Sequence, residues 1–250
     1  MARTATFLGG VLVLMLLAAP AAAAAGDAPL PKLRLGSVPH GMFLLDRLEY
    51  GYGLNPGAVW DLSAWVGGDL DRLRVRSEGS VSLPGPVAAD IEVQATYSRL
   101  VTPFLEVQVG ARLDQVLSAT AKPTRGMLAV GLEGTAPLWV DVEFFAYLSH
   151  RLDVSFRFSA TYELLFTQRL IGQFRFETNV AVQKVEEFGV GRGWNDIDLG
   201  FRLRFEIKRQ FAPYIGVSWN QRLFETAELA RSEGESPTSL VGLAGLRFWF

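Results

Sequence analysis

The sequence predicts an all-β protein, a transmembrane antiparallel β-barrel of about 12 strands that follows a cleaved signal peptide. Three observations lead to this prediction. Apolar and polar residues alternate with period two over long segments, and short gaps between these segments alternate with longer ones along the chain. The last segment keeps the alternation up to a C-terminal aromatic residue, Phe250, which resembles the assembly signal of bacterial outer-membrane proteins.

Composition excludes several other classes of protein. The chain of 250 residues has 24 Lys and Arg against 26 Asp and Glu, so it lacks the basic excess of nucleic-acid binders. It contains no Cys, which excludes disulfides, thiolate metal sites and a cysteine nucleophile. Hydrophobic residues make up 49% of the chain, yet beyond the N-terminus no apolar run is long enough for a membrane-spanning helix. We therefore expect no nucleic-acid partner and no helical membrane fold.

The N-terminus has the organisation of a secretory signal peptide. Arg3 is its single charge, an apolar stretch runs from Phe7 to Ala19, and an alanine run leads to Ala25. A retained membrane anchor is the alternative, but the apolar stretch is short for one. The predicted divisions are a signal peptide over 1–25, a short periplasmic segment over 26–41 and an outer-membrane barrel over 42–250.

The remaining chain alternates residue by residue. In 196–208, six apolar residues from Ile197 to Ile207 share one parity, and the other parity holds charged residues and one glycine. Segments 104–114 and 152–164 show the same pattern, which in a strand places the two sets on opposite faces. The predicted strands are 43–53, 58–67, 71–80, 89–99, 103–114, 126–136, 139–148, 152–164, 168–183, 194–208, 211–223 and 239–250.

Strand length and connections favour a membrane barrel over a soluble sandwich, which would also bury one apolar face. The predicted gaps on one side are tight turns, whereas the three longest gaps, 115–125, 184–193 and 224–238, fall on the other side. Short periplasmic turns, longer outer loops and strands of about ten residues are typical of outer-membrane barrels. Outer-membrane lipid is therefore an expected partner.

The polar parity of the predicted strands would line the lumen with charges of both signs, which can form cross-strand ion pairs. The predicted lumen network comprises Glu49, Asp61, Glu78, Glu92, Arg112, Glu163, Arg175, Glu177, Asp198, Arg202, Arg204 and Glu206. Two interpretations stay open: ion pairs that fill a narrow barrel, or a hydrophilic path whose acids attract cations. We expect Arg202 and Arg204 to pair with carboxylates on neighbouring strands, such as Glu177.

Signals for enzymatic chemistry are weak. Only His40 and His150 could act as a histidine base, and both lie outside the predicted strands. A hydrolase that uses His150 with Asp153 is a minor alternative, and the Gly-x-Gly-x-Gly motif at 189–193 lies in a predicted loop with no following helix. His40 and Met42 form the one pair of soft ligands, because imidazole and thioether both suit copper.

Several stretches resemble the copper resistance protein B family of Gram-negative outer-membrane proteins. They are DRLEYGYG (46–53), WDLSAWVGGDLDRLRVRSEG (60–79), EVQATYSRLVTPF (92–104), YELLFTQRLI (162–171), GVGRGWNDIDLGFRLRFEIKRQFAPYIGVSWNQ (189–221) and the ending GLRFWF (245–250). The resemblance covers essentially the whole predicted barrel. It implies an outer-membrane protein without enzyme activity that binds or passes copper ions in copper tolerance and homeostasis, beside periplasmic copper-resistance proteins.

The resemblance also bears on where copper would bind. The family's usual N-terminal extension is rich in Met and His, whereas residues 26–41 hold one His and no Met, which favours a role for the lumen. A tight site would then use His40 and Met42 at the periplasmic mouth, or lumen carboxylates, which prefer copper(II) to copper(I). The alternative function is a general small-solute channel that has lost metal selectivity.

Overall fold

A closed barrel of twelve antiparallel strands forms the structure, a computed structural model that describes residues 39–52, 57–82, 88–117, 123–232 and 234–250. Each strand pairs with its neighbours in sequence, and β1 pairs with β12 to close the barrel. The predicted fold class is confirmed. The predicted signal peptide and residues 26–38 lie outside the described residues.

Every predicted strand overlaps an observed one. The strands are β1 (His40–Tyr52), β2 (Gly57–Gly67), β3 (Asp71–Ser82), β4 (Ala88–Thr102), β5 (Leu105–Leu117), β6 (Thr124–Ala136), β7 (Val140–Ser149), β8 (Val154–Leu165), β9 (Leu170–Ala181), β10 (Gly193–Phe205), β11 (Phe211–Arg222) and β12 (Thr238–Trp249). The connections include one α-helix, α1 (Phe224–Ser232), and two short 3₁₀ turns, Pro137–Trp139 and Glu186–Phe188. Within the described ranges, no helix has the length and apolar character to cross a membrane.

The two ends of the barrel differ in their connections. The β2–β3 and β4–β5 connections are tight turns at one end, whereas 182–192 and 223–237 are long loops at the other. Because short turns face the periplasm in outer-membrane barrels, the tight end is the periplasmic end and the long loops are external. His40 begins β1 at the periplasmic end, so it belongs to the first strand rather than preceding it.

Burial alternates along the strands as the sequence pattern predicts. On β5, Gln108 is 2% exposed while the adjacent Val109 is 53% exposed, and on β6 Leu128 is 62% exposed while Ala129 is 0% exposed. The outer surface is therefore apolar and the interior is mostly polar. This arrangement suits a barrel whose exterior contacts lipid, because closure satisfies the backbone hydrogen bonds within the sheet.

One strand departs from simple alternation. The register of β1 shifts against both of its neighbours between Leu45 and Leu48, which is the signature of a β-bulge. As a result, two consecutive side chains reach lumen partners: Asp46 accepts a hydrogen bond from Arg247 at 2.8 Å, and Arg47 donates to Asp61. The bulge thus adds Asp46 to the lumen charges that the parity argument had found.

Candidate functional site

Two larger cavities, the inner and the outer vestibule, and a small third cavity of about 40 Å³ lie in the described part of the lumen. The inner vestibule, of about 370 Å³, lies in the periplasmic half, and the outer vestibule, of about 150 Å³, lies below the external loops. The acids that line the inner vestibule are Asp46, Asp61, Glu78, Glu106, Glu133, Asp141, Glu143 and Glu163, and its bases are Arg76, Arg175 and Arg247. Acids and bases are balanced in the outer vestibule, with Glu49, Asp198 and Glu235 beside Arg47, Arg202 and Arg222. Acids outnumber bases among the side chains that line the inner vestibule, although arginines outside the lining, such as Arg72, Arg74 and Arg204, pair with several of these acids.

A closed ring of ion pairs lies between the two vestibules. In order around the ring, its members are Asp61, Arg47, Glu78, Arg157, Glu177 and Arg175. Successive N···O distances are 3.0, 3.9, 3.5, 3.6, 3.1 and 3.5 Å, the last one returning to Asp61. We call this set the central ion-pair ring. It extends from β1–β3 across the lumen to β8 and β9, so it joins opposite walls of the barrel.

A ladder of arginines extends from the periplasmic side of the ring. Arg72, Arg74 and Arg76 project inward from alternate positions of β3. Their partners lie across the lumen on β5, β6 and β7: Arg72 pairs with Glu106 at 3.0 Å, Arg74 with Glu133 at 2.9 Å and Arg76 with Glu143 at 2.7 Å. Long guanidinium side chains thus connect strands that are not neighbours in the sheet.

Arg202 and Arg204 both pair with carboxylates, but the predicted partner on the neighbouring strand, Glu177, is wrong. Arg202 Nε lies 2.5 Å from Glu49 Oε1 on β1, and Arg204 Nη2 lies 3.0 Å from Glu163 Oε1 on β8. Glu177 instead belongs to the central ion-pair ring. The cause is register, because Glu177 lies opposite Asp198, and the residue opposite Arg202 on β9 is Gln173, which carries no charge.

The other predicted network residues also lie in the lumen. Arg112 pairs with Glu92 at 2.7 Å and with Asp114 at 2.6 Å, and Glu206 lies 3.9 Å from Arg204. Asp198 lines the outer vestibule and accepts a hydrogen bond from the Ser218 hydroxyl at 3.4 Å. The functional role of these residues stays a prediction.

The β4–β7 side of the lumen holds side chains that were not among the predicted lumen residues. Met127, Ala129, Phe145 and Tyr147 form a buried apolar cluster there. The Tyr147 hydroxyl donates to Gln94 at 3.2 Å, which joins this cluster to β4. The parity of Glu143 places Phe145 and Tyr147 inward, so continuing the alternation would have found both.

A cap covers part of the external mouth. The loop after β9 contributes Phe188, which is 3% exposed, and the loop after β11 contributes helix α1. The Gly191 amide donates to the Thr226 hydroxyl at 3.0 Å. A Cβ atom on Gly191 would lie 2.5 Å from the Thr226 backbone nitrogen, so only glycine permits this approach. Predicted as an external loop, 224–238 therefore contains a docked helix.

The predicted soft ligands lie at the periplasmic mouth. His40 and Met42 share one face of β1, and Met42 is opposite Trp65 in the β1–β2 register. His40 Nε2 lies 3.6 Å from Asp69 Oδ1, and its ring contacts Trp65 edge-on at a centroid distance of 6.0 Å. Within the described part of the chain, no group of three His, Cys, Asp or Glu side chains is arranged to hold a metal ion.

Comparison with known proteins identifies the family. Residues 40–250 match the family described as copper resistance protein B precursor (CopB). The chain belongs to this copper resistance family. The copper resistance protein B of Escherichia coli is 40% identical over 210 residues, which cover 84% of this chain and 69% of that protein. The copper resistance protein B homolog of Pseudomonas syringae pv. tomato is 38% identical over 210 residues, covering 83% of this chain and 69% of the homolog.

Solved porin structures share the fold of this copper resistance family member. The NanC porin matches with a TM-score of 0.52 and 13% identity, covering 83% of this chain and 98% of the porin. The KdgM porin matches with a TM-score of 0.50 and 12% identity, covering 84% and 99%. At such low identity the likeness concerns the fold alone. Together with the family, it places the chain in the outer membrane of a Gram-negative bacterium.

Proposed function

We propose that this barrel binds and passes copper ions through its lumen and thereby contributes to copper tolerance. The observation that carries the proposal is the inner vestibule, whose lining holds eight acidic side chains and three arginines. Arginines outside the lining pair with several of these acids, yet the surface that a mobile ion meets consists mainly of carboxylates, which attract cations. Family membership supports copper as the cation, because both named relatives are copper resistance proteins.

The ligands indicate which form of copper the lumen accepts. Carboxylates are hard oxygen ligands, so the inner vestibule favours copper(II) over copper(I). His40 and Met42 supply an imidazole and a thioether at the periplasmic mouth, where a softer contact is available to an ion that enters or leaves. We expect about one firmly held ion per barrel at most, because the described chain offers so few soft ligands.

We assign the barrel no catalytic role. His40 and His150 lie at opposite ends of the barrel, so they cannot serve one site. The His150 ring nitrogen Nδ1 lies 3.2 Å from the Gly126 carbonyl oxygen, which is the environment of a loop histidine.

Periplasmic copper-resistance proteins are proposed partners because the acidic vestibule opens towards the compartment in which they would deliver or receive the ion.

A copper-challenge growth assay tests the proposal. A strain that lacks the gene is complemented with the wild-type chain or with Asp141→Asn, whose carboxylate lines the inner vestibule and accepts a hydrogen bond from Thr135 at 2.9 Å. We expect wild type to restore copper tolerance and the variant to restore it less. Glu187→Gln, on the outer surface, is the matched control because its side chain is 56% exposed. Equal growth of the strain with and without the gene would refute a role in copper tolerance.

A copper titration of purified protein locates the ion. His40→Ala combined with Met42→Ala should weaken retention of copper(I) and leave copper(II) uptake by the vestibule largely unchanged. Tight copper(I) binding that survives both substitutions would contradict the assignment.

The general small-solute channel is the second candidate, favoured by the few His and Met side chains. It predicts equal uptake of uncharged sugars and copper by vesicles that contain the protein.

A further inference from the structure

The two vestibules meet at the ion pairs of Arg47. Arg47 lines the outer vestibule, and Asp61 lines the inner vestibule. No residue lines both cavities, and Arg47 Nη2 lies 3.0 Å from Asp61 Oδ2. At this point the barrier between the two cavities is therefore as thin as a single contact between side chains.

The central ion-pair ring closes the rest of this boundary. Arg47 also lies 3.9 Å from Glu78, whose carboxylate lines the inner vestibule. Arg157 and Glu177 complete the connection to the opposite wall, and both are at most 8% exposed. Arg47 itself is 5% exposed. A hydrated cation in the inner vestibule thus meets the carboxylates of Asp61 and Glu78, which already bind the Arg47 guanidinium on the side that faces the outer vestibule.

Other side chains occupy much of the remaining cross-section, beside a small cavity of about 40 Å³ under the external cap. The apolar cluster around Phe145 and Tyr147 fills the β6–β7 side at interior burial. On the adjoining β4–β5 side, the Thr96 hydroxyl donates to Gln108, and Gln108 donates to Glu133 at 2.6 Å. These hydrogen bonds fix polar side chains across the space. Among the described ion pairs, those of Arg47 with Asp61 and Glu78 are the ones that join a residue lining the outer vestibule to residues lining the inner vestibule.

We propose that Arg47 is the selectivity-determining gate of the barrel: a tethered cation that occupies the Asp61–Glu78 carboxylates until a mobile cation displaces it. In this mechanism a metal ion from the inner vestibule takes the place of the guanidinium on the two acids. The released Arg47 turns into the outer vestibule, where Glu49 and Asp198 line the wall. An anion cannot replace Arg47 in this way, because the carboxylates of Asp61 and Glu78 repel it. That copper is the displacing ion rests on the proposed function. The barrier at Arg47 would act on any small cation.

A purely structural role for the ring makes a different prediction. If the ring only braces the walls, then removing any equally buried arginine from the lumen should loosen the barrel to a similar degree. Arg112 provides that comparison because it is 5% exposed, pairs with Glu92 at 2.7 Å and lines neither vestibule. If Arg47 is a gate, by contrast, only its substitution should raise cation conductance, because Arg47, unlike Arg112, lies at the boundary of the two vestibules.

Single-channel recording in planar lipid bilayers under a potassium chloride gradient tests the gate. We compare wild type with Arg47→Gln, Arg47→Lys and Arg112→Gln, each confirmed as folded by heat-modifiable migration on gels. Wild type should conduct little, and Arg47→Gln should raise cation conductance by about tenfold, the equivalent of about 1.4 kcal/mol of barrier. Arg47→Lys keeps the tethered charge and Arg112→Gln keeps the ring, so both should behave as wild type.

Changes at Asp61 separate gating from a mere widening of the lumen. Arg47→Gln leaves the ring with three acids and two arginines, and adding Asp61→Asn restores the balance, so we expect the reversal potential of the double variant to lose cation preference. Asp61→Asn alone leaves the arginines of the ring in excess and should shift the preference towards chloride, which keeps the proposal testable if Arg47→Gln does not fold. High conductance of wild type, equal increases in Arg47→Gln and Arg112→Gln, or a non-selective Arg47→Gln pore would each overturn the gate. These recordings contain no copper, so they stand apart from the growth assay of the proposed function.

Discussion

The buried pair Arg202–Glu49 should contribute far more to barrel stability than an exposed pair of similar geometry. Arg202 is 3% exposed and Glu49 is 5% exposed, and two hydrogen bonds of 2.5 and 3.2 Å join them. Arg202→Met leaves the Glu49 carboxylate buried with only the Tyr214 hydroxyl, at 3.0 Å, as a remaining partner. An uncompensated buried charge of this kind costs about 3–5 kcal/mol, so we expect the free energy of unfolding to fall by that amount.

The matched control is the pair Arg151–Glu187, which lies at 2.7 Å with side chains 52% and 56% exposed. Arg151→Met should cost less than about 1 kcal/mol, because water screens the exposed charge that remains. Reversible guanidinium unfolding in lipid vesicles, followed by tryptophan fluorescence, measures both. The double variant Arg202→Met with Glu49→Gln should be more stable than Arg202→Met alone, since no buried charge remains unpaired. A cost below about 1 kcal/mol for Arg202→Met would refute this reasoning.

Three further results are expected. Phe201→Arg on the lipid-facing side of β10 should lower the free energy of unfolding in vesicles by about 2–4 kcal/mol, and Phe201→Leu should change it much less. Gly191→Ala should displace α1 and speed tryptic cleavage after Arg231, whereas Gly242→Ala, where a Cβ meets no atom within 4 Å, should not. Copper(II) uptake should weaken as pH falls towards about 4, because protonated carboxylates lose their affinity for metal; uptake unchanged at that pH would exclude carboxylate ligands.

The strands were predictable because lipid outside and charge inside impose a strict period of two. In 196–208 the pattern has no exception, and the observed β10 presents Leu199 at 44% exposure and Arg202 at 3%. The closed order of strands also follows, since hairpins connect sequence neighbours and closure leaves no edge. Alternation therefore specified both which side chains enter the lumen and which strands lie beside each other.

Partners across the lumen were not predictable by the same means. Alternation predicts whether a side chain points into the lumen or outward. It does not predict which strand lies directly across the lumen from that side chain. Arg202 on β10 therefore pairs with Glu49 on β1 rather than with Glu177 on the neighbouring strand β9. The bulge at Asp46 and the docking of α1 also depend on local backbone geometry, which period-two reasoning does not detect. Burial of Ala227 and Ala230 in α1 follows from small residues at helical spacing, a signal that a loop assignment conceals.

The contrast between the two sides of the lumen bears on what the charges are for. Buried ion pairs are poor sources of net stability, and well-packed apolar side chains can often replace them. This chain contains that replacement on its β6–β7 side, where Met127, Phe145 and Tyr147 fill the interior without an ion pair of their own. If filling were the only requirement, the opposite side could be packed in the same way. Instead, charges are retained where the two vestibules meet, at Arg47 and Asp61, and acids predominate among the side chains that line the inner vestibule. A lumen that has apolar packing around Phe145 and Tyr147 but ion pairs at the boundary of the vestibules is suited to admitting cations through the paired region, which is the outcome that the conductance of Arg47→Gln measures.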